Sequence, residues 1–218
     1  LTILTTPDQP GLLSPLAGES TCDTTPEFTW NPASGASSYR LQVADNSDFS
    51  SLVVDVSSSG TAYTPSTPLV PNLYYWRVRS ENACGQSTYS ASRQFTIGAP
   101  AGLPVLQSPD DNTNVCTQTP TFLWGSVSNA TGYVIQVDDN LGFSSPDINY
   151  STQLTSYTPD NPLTLGDTYW RVKAQGTCGD SSWHTAWNIE LMDTPGVPVL
   201  TSPLQSAQLC SLSPSFAW

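Results

Sequence analysis

The sequence is short of charge, and shortest of positive charge. Only 11% of its 218 residues are charged, against about 25% in an average globular domain. Six Lys and Arg stand against 18 Asp and Glu, a net charge of −12. Such a chain repels phosphate backbones and anionic membrane surfaces, so no nucleic-acid partner is expected. A zinc site would need four ligands, while each repeat carries two Cys and the single His is not part of the repeat. Long apolar runs are missing too. Stretches such as Ser51-Leu-Val-Val-Asp-Val56 are far too short to span a bilayer, so no membrane insertion of these residues is expected. No segment sustains a 3.6-residue hydrophobic period, so helices are not expected either. What remains is enough to bury cores: 38% of residues are hydrophobic and 10% aromatic, which excludes a disordered tail. Ser and Thr supply 56 residues and Pro another 19.

The chain repeats itself at a spacing of 94 residues without a gap. That shift aligns Cys22 with Cys116 and Cys210, and Cys84-Gly85 with Cys178-Gly179. It carries Pro26-x-Phe28-x-Trp30 onto Pro120-x-Phe122-x-Trp124 and Pro214-x-Phe216-x-Trp218. Tyr39-x-x-Gln42-Val43 falls on Tyr133-x-x-Gln136-Val137, Phe49-Ser50-Ser51 on Phe143-Ser144-Ser145, and Tyr75-Trp76-Arg77-Val78 on Tyr169-Trp170-Arg171-Val172. Ile3, Ile97 and Leu191 are also in register. Residues 1–6 therefore read as the last strand of a preceding repeat, 7–98 and 99–194 as two complete repeats, and 195–218 as the truncated start of a third. The chain begins without Met and stops at a core-type Trp, as a window on a longer array would.

Apolar residues alternate with polar ones. Phe28 and Trp30 flank Thr29, Leu41 and Val43 flank Gln42, and Trp76 and Val78 flank Arg77. A period of two describes strands with one face buried and one wet. Strands are expected near 10–16, 26–31, 38–44, 51–56, 60–64, 74–80 and 91–97, separated by Pro-, Asn- and Gly-rich turns, and again one repeat later. Seven short strands per repeat predict an all-β chain of tandem seven-stranded antiparallel β-sandwiches. Short linkers, Gly98–Gly102 and Asp193–Gly196, should hold neighbours close.

A Trp at the end of the second strand, a Tyr-x-x-Gln-Val third strand, a corner from Leu69 to Tyr75 and a Tyr-Trp-Arg-Val sixth strand resemble fibronectin type III domains. They are most similar to the versions found in tandem on bacterial cell surfaces. The resemblance covers both complete repeats, and the cysteine pair departs from most members of that family.

Two Cys per small repeat, few Lys and much Ser and Thr suggest disulfides in an extracellular, oxidising setting. The candidates are Cys22, Cys84, Cys116, Cys178 and Cys210. Pairing Cys22 with Cys84 inside one repeat would close a loop of 62 residues, worth about 4 kcal/mol. In the topology that the resemblance implies, those two lie at opposite ends of the sandwich. The preferred pairing is then between repeats, Cys22 with Cys178. Cys116 and Cys210 would bond the repeat that follows, and Cys84 the one before. A chain that folded back after Pro26 would restore the first alternative.

Trp30, Trp76, Trp124 and Trp170 read as core. Trp183 and Trp187 differ, because Tyr89 and Arg93 occupy their places in the first repeat. They form either a platform for glycan or protein, or a cation–π ladder with Arg171 and Lys173 on the adjacent strand. The ladder is favoured. His184 beside Ser181 and Ser182 lacks the context of a catalytic triad, and no acid–base constellation recurs, so no enzymatic activity is expected. No cofactor is expected. Asp45-Asn46-Ser47-Asp48 and Asp138-Asp139-Asn140 leave Ca2+ possible, though Asx residues also close turns on their own account. Asn129 and Asn149 sit in sequons at near-chance frequency, and Thr24, in Asp23-Thr24-Thr25, is a possible O-glycosylation site. The function expected is an extracellular structural repeat forming a stalk, fibre or adhesin shaft. Its expected partners are neighbouring repeats or copies, with surface glycans and host or neighbour-cell proteins as the alternative. The alternatives are a glycan- or protein-binding module and an accessory region of a secreted enzyme.

Overall fold

The computed structural model describes residues 5–194, 199, 201–202, 213 and 215–217. The expected strand of a preceding repeat, including Ile3, lies mostly outside them. So does most of 195–218, including Cys210 and Trp218. The described chain is all strand, turn and bend.

The first repeat contains β1 (Leu12–Ser14), β2 (Glu19–Thr21), β3 (Phe28–Trp30), β4 (Ser38–Ala44), β5 (Leu52–Ser58), β6 (Ala62–Tyr63), β7 (Asn72–Asn82), β8 (Gly85–Gln86) and β9 (Arg93–Ile97). One sheet runs β1-β3-β6 and the other β2-β9-β7-β4-β5, with β8 folded back on β7. The second repeat has β10 (Leu106–Ser108), β11 (Thr113–Val115), β12 (Phe122–Trp124), β13 (Ala130–Asp138), β14 (Ile148–Thr152), β15 (Ser156–Tyr157), β16 (Gly166–Gly176) and β17 (Trp187–Leu191). Its sheets run β10-β12-β15 and β11-β17-β16-β13-β14.

The register recurs with the sequence. Ser14 pairs with Thr29, and Ser108 with Leu123. Ser202 bridges Ala217 in the same antiparallel sense, one repeat further on.

The period-2 alternation builds the core directly. Phe28 and Trp30 from the small sheet meet Leu41, Val43, Trp76, Val78 and Phe95 from the large one, all buried. Phe28 is the hinge of this packing, edge-on to both Trp76 and Phe95 at 5.3 and 5.5 Å between ring centres. The second repeat buries Phe122, Trp124, Ile135, Val137, Trp170, Val172 and Ile189 at the same positions.

Two details differ from the expected strands. The first strand is split. After β1 the chain turns at Gly18, whose φ is +78°, and crosses to the other sheet. There β2 runs parallel to β9, with Glu19 against Phe95 and Thr21 against Ile97. The second repeat makes the same crossing at Asn112, with φ +58°, and β11 lies parallel to β17. Glycine and asparagine are the residues that enter this backbone region at least cost. Each sandwich is thus antiparallel except for one short parallel pair. The corner residue is Tyr74 rather than Tyr75. The alternation that turns Trp76 and Val78 inward also turns Tyr74 inward, and its hydroxyl donates to the Val70 carbonyl at 2.9 Å.

By spatial proximity the chain forms two compact units. The first runs to Pro104 and adds Ser126–Tyr133 and Lys173–Trp183; the second takes Val105–Gly125, Val134–Val172 and the chain from His184. The first unit therefore contains residues of both sequence repeats.

On the wet face of the first repeat, Arg40 grips Asp55 through Nε and Nη2 at 2.7 and 2.8 Å. That pair of charged hydrogen bonds holds the Asp55 carboxyl below the usual carboxylate range. Asp147 goes the other way: partial burial, then the charges of Asp139 and Asp138, push it up. A depressed carboxylate contributes stability above its unfolded pKa and loses it as pH falls through the folded value. A raised one favours folding at low pH and costs stability once it ionises. Asp55→Asn should therefore lower the urea midpoint at neutral pH, and Asp147→Asn should raise it. The Asp147 difference should vanish below about pH 3, where that carboxyl is protonated in either state, and the Asp55 difference should fade only at still lower pH, through its depressed folded value. Urea unfolding of the two variants at both pH values checks the opposite signs.

Candidate functional site

The cysteine bridge is built from β2 upward. Because β2 runs parallel to β9, both strands finish at the same end of the sheet. Thr21 accepts a hydrogen bond from the Gly98 amide at 2.9 Å. Cys22 therefore lies beside the point where the chain leaves the first repeat. Cys178 sits in the tight turn after β16, where the Gly179 amide donates to Gly176. The two cysteines form a disulfide, with Cα atoms 5.1 Å apart and a sequence separation of 156.

The segment between the repeats is shaped around this bond. The Ala101 amide donates to the Gly179 carbonyl at 3.0 Å, and the Gly102 amide to the Ser128 carbonyl at 3.0 Å. A Cβ on Gly98 would lie 2.5 Å from Cys178 Sγ. A Cβ on Gly176 would meet the Gly179 carbonyl at 2.7 Å and Ala101 at 2.9 Å. Both positions require glycine for close approach. All of these residues belong to the first compact unit. Cys84 and Cys116 are exposed.

A second constellation lies on the face of β7 and β16 that points away from the core. Arg77 donates through Nε and Nη2 to Gln42 Oε1 at 3.0 and 2.8 Å. Its guanidinium sits between the rings of Phe49 and Tyr89, 3.9 and 4.2 Å from their centres. Arg79 covers Tyr89 at 5.0 Å. In the second repeat Arg171 repeats the bonds to Gln136 Oε1 at 2.9 and 2.7 Å, and lies 4.0 Å from the Phe143 ring. Lys173 lies 5.4 Å from Trp183 and donates to Asp180 at 2.7 Å.

Trp187 takes a different place. Its half-buried ring meets core Trp170 edge-on at 5.8 Å. Arg93, its counterpart, donates to the Leu13 carbonyl. Sequence reading missed Phe49 and Phe143, although both lie in the repeated set with the Gln and Arg they cover. Each adopts positive φ, +60° and +48°. That conformation is costly for a bulky residue, and the cation stack helps hold it.

The remaining candidates are held by local bonds. Ser181 Oγ accepts from the Ala174 amide and donates to Ser182. The His184 ring contacts the Thr185 carbonyl at 2.7 Å. Asn140 donates to both Asp138 and Asp139, and Asn46 to Ser50. Among the described residues no group of three or more His, Cys, Asp or Glu gathers to hold a metal ion. Thr24 is half-buried, and its carbonyl accepts the Leu69 amide at 2.8 Å. Asn129 donates to the Pro100 carbonyl, and Asn149 is exposed on β14.

No family model and no curated protein matches the sequence. Among solved structures, the chain is similar to the crystal structure of chicken CNTN1 FN1-FN3 domains. That match has 17% identity and a TM-score of 0.44, covering 89% of this chain and 70% of the other. The all-β sandwich assignment rests on the strand order and the two-sheet core themselves.

Proposed function

We propose that the chain is a structural module of an extracellular array, a stalk, fibre or adhesin shaft of fibronectin type III-like repeats on a bacterial cell surface. Its partners in this reading are the neighbouring repeats or copies. The observation that carries the reading is the Cys22–Cys178 bond, which links one repeat covalently to the next around a linker that admits only glycine at Gly98. An oxidising compartment is where such a bond persists. The residues shared between the repeats are core, turn and cross-strand pairs, as expected where spacing and continuity are what the chain supplies. By the same rule Cys116 would bond the following repeat and Cys84 the preceding one. Peptide mapping of the natively secreted, unreduced chain tests this. A peptide joining Cys22 to Cys178 is the expected product, and one joining Cys22 to Cys84 would sink the proposal.

A further inference from the structure

Each sandwich opens at one edge, between the outer strand of its large sheet and the outer strand of its small one. In the first repeat this groove lies between β5 and β6 and is lined by Val53, Val54, Val56 and Val70, with Asp55. Asp55 is already held by Arg40. The equivalent groove of the second repeat lies between β14 and β15, with the loop that follows β15, and has a volume of about 480 Å3.

Its chemistry differs at six equivalent positions. Asp147, Asn149 and Tyr150 stand where the first repeat has Val53, Asp55 and Val56; Asp160, Asn161 and Thr164 replace Ser66, Thr67 and Val70. Tyr157 is kept from Tyr63, and Tyr150 now packs on it, the ring centres 4.8 Å apart and tilted by 35°. Tyr150 remains 49% exposed. Val134 replaces Arg40, so no guanidinium reaches Asn149 as Arg40 reaches Asp55. The side chains of Asp147, Asn149, Asp160 and Asn161 make no hydrogen bond to any described residue.

We infer that this groove binds a neutral glycan, one sugar ring lying on the exposed face of Tyr150. A flat aromatic face matches the apolar C–H face of a pyranose. Carboxylates and amides without partners in the chain supply acceptors and donors for its hydroxyls. The carboxylates disfavour an anionic ligand, and no basic residue lines the groove to neutralise one. The inference is independent of the array reading, and either can fail alone.

The test is titration of the oxidised chain with neutral hexose oligosaccharides (glucan, mannan and galactan hexamers), followed by backbone amide chemical shifts. At least one should shift residues 147–164 at up to millimolar concentration and leave Val53–Val70 unmoved. Tyr150→Ala should weaken binding at least about tenfold, while Tyr150→Phe should keep most of it. Tyr150→Phe keeps the packing on Tyr157 and should leave the melting temperature unchanged, whereas Tyr150→Ala should lower it only by the loss of that one ring contact. Absence of shifts with all three hexamers overturns the inference. So does binding that Tyr150→Ala leaves intact, or that requires added Ca2+.

Discussion

Cys22→Ser, Cys178→Ser and the double variant should each lose on the order of 5 kcal/mol of stability relative to the oxidised chain. The three losses should be equal within a few tenths. The bond closes a loop of 156 residues, and the entropy that such a link removes from the unfolded chain is about 5 kcal/mol on the loop-closure model. That is an upper value, because an unfolded chain that keeps some compactness has less freedom to lose. Equality follows because all three variants remove the same interaction, so their effects do not add. Gly98→Val should reproduce most of the loss while leaving both cysteines in place. Its Cβ would occupy space 2.5 Å from Cys178 Sγ, and that neighbour is locked in the bond. Urea unfolding with and without reductant reads the effect. Reductant should lower the midpoint of the parent and leave the serine variants unmoved. A loss below about 1 kcal/mol, or a parent indifferent to reductant, would contradict the account.

The pieces of this bridge differed in how far the sequence announced them. The five cysteines and their spacing were plain, and the topology implied by the resemblance favoured pairing Cys22 with Cys178 while leaving Cys22 with Cys84 open. The reason Cys22 reaches the exit of its own repeat was not. It depends on β2, three residues long and nowhere buried. A strand that short, with no buried face, carries no alternation to detect. Its parallel pairing is imposed by the turn at Gly18 and by β9, not by its own residues. The cores were legible for the opposite reason. Trp30, Trp76, Trp124 and Trp170 sit in strands whose every second residue is buried, and burial is what a period of two encodes. The Arg77 and Arg171 stacks fall between these cases. Gln42, Phe49 and Arg77 recur together one repeat later, yet they are separated along the chain by turns whose length hides their contact. The Tyr150 groove was invisible to a search for recurrence, since it is where the repeats diverge.

Trp76→Ala should cost about 3–5 kcal/mol, a large share of the about 5–15 kcal/mol that holds a domain of ordinary stability. Trp76 is fully buried at the centre of β7 and packs edge-on against Phe28 at 5.3 Å. Removing it would leave Val78 and Phe95 facing a void that two hydrogen-bonded sheets cannot close. Trp76→Phe should cost much less than loss of ring volume alone implies. The Trp76 indole nitrogen is buried without a hydrogen-bond partner, and an unpartnered buried N–H carries a desolvation penalty of about 1–3 kcal/mol. Phenylalanine keeps most of the apolar contact and sheds that penalty. The expected order is parent, then Phe with less than half the loss, then Ala. Trp170 should behave alike, since it is equally buried, packs on Phe122 at 5.0 Å and has the same unpartnered nitrogen. Thermal unfolding of the four variants measures the order. If Phe cost as much as Ala at both sites, the two indoles would be held by their N–H groups, and ring packing would not be the basis of either core.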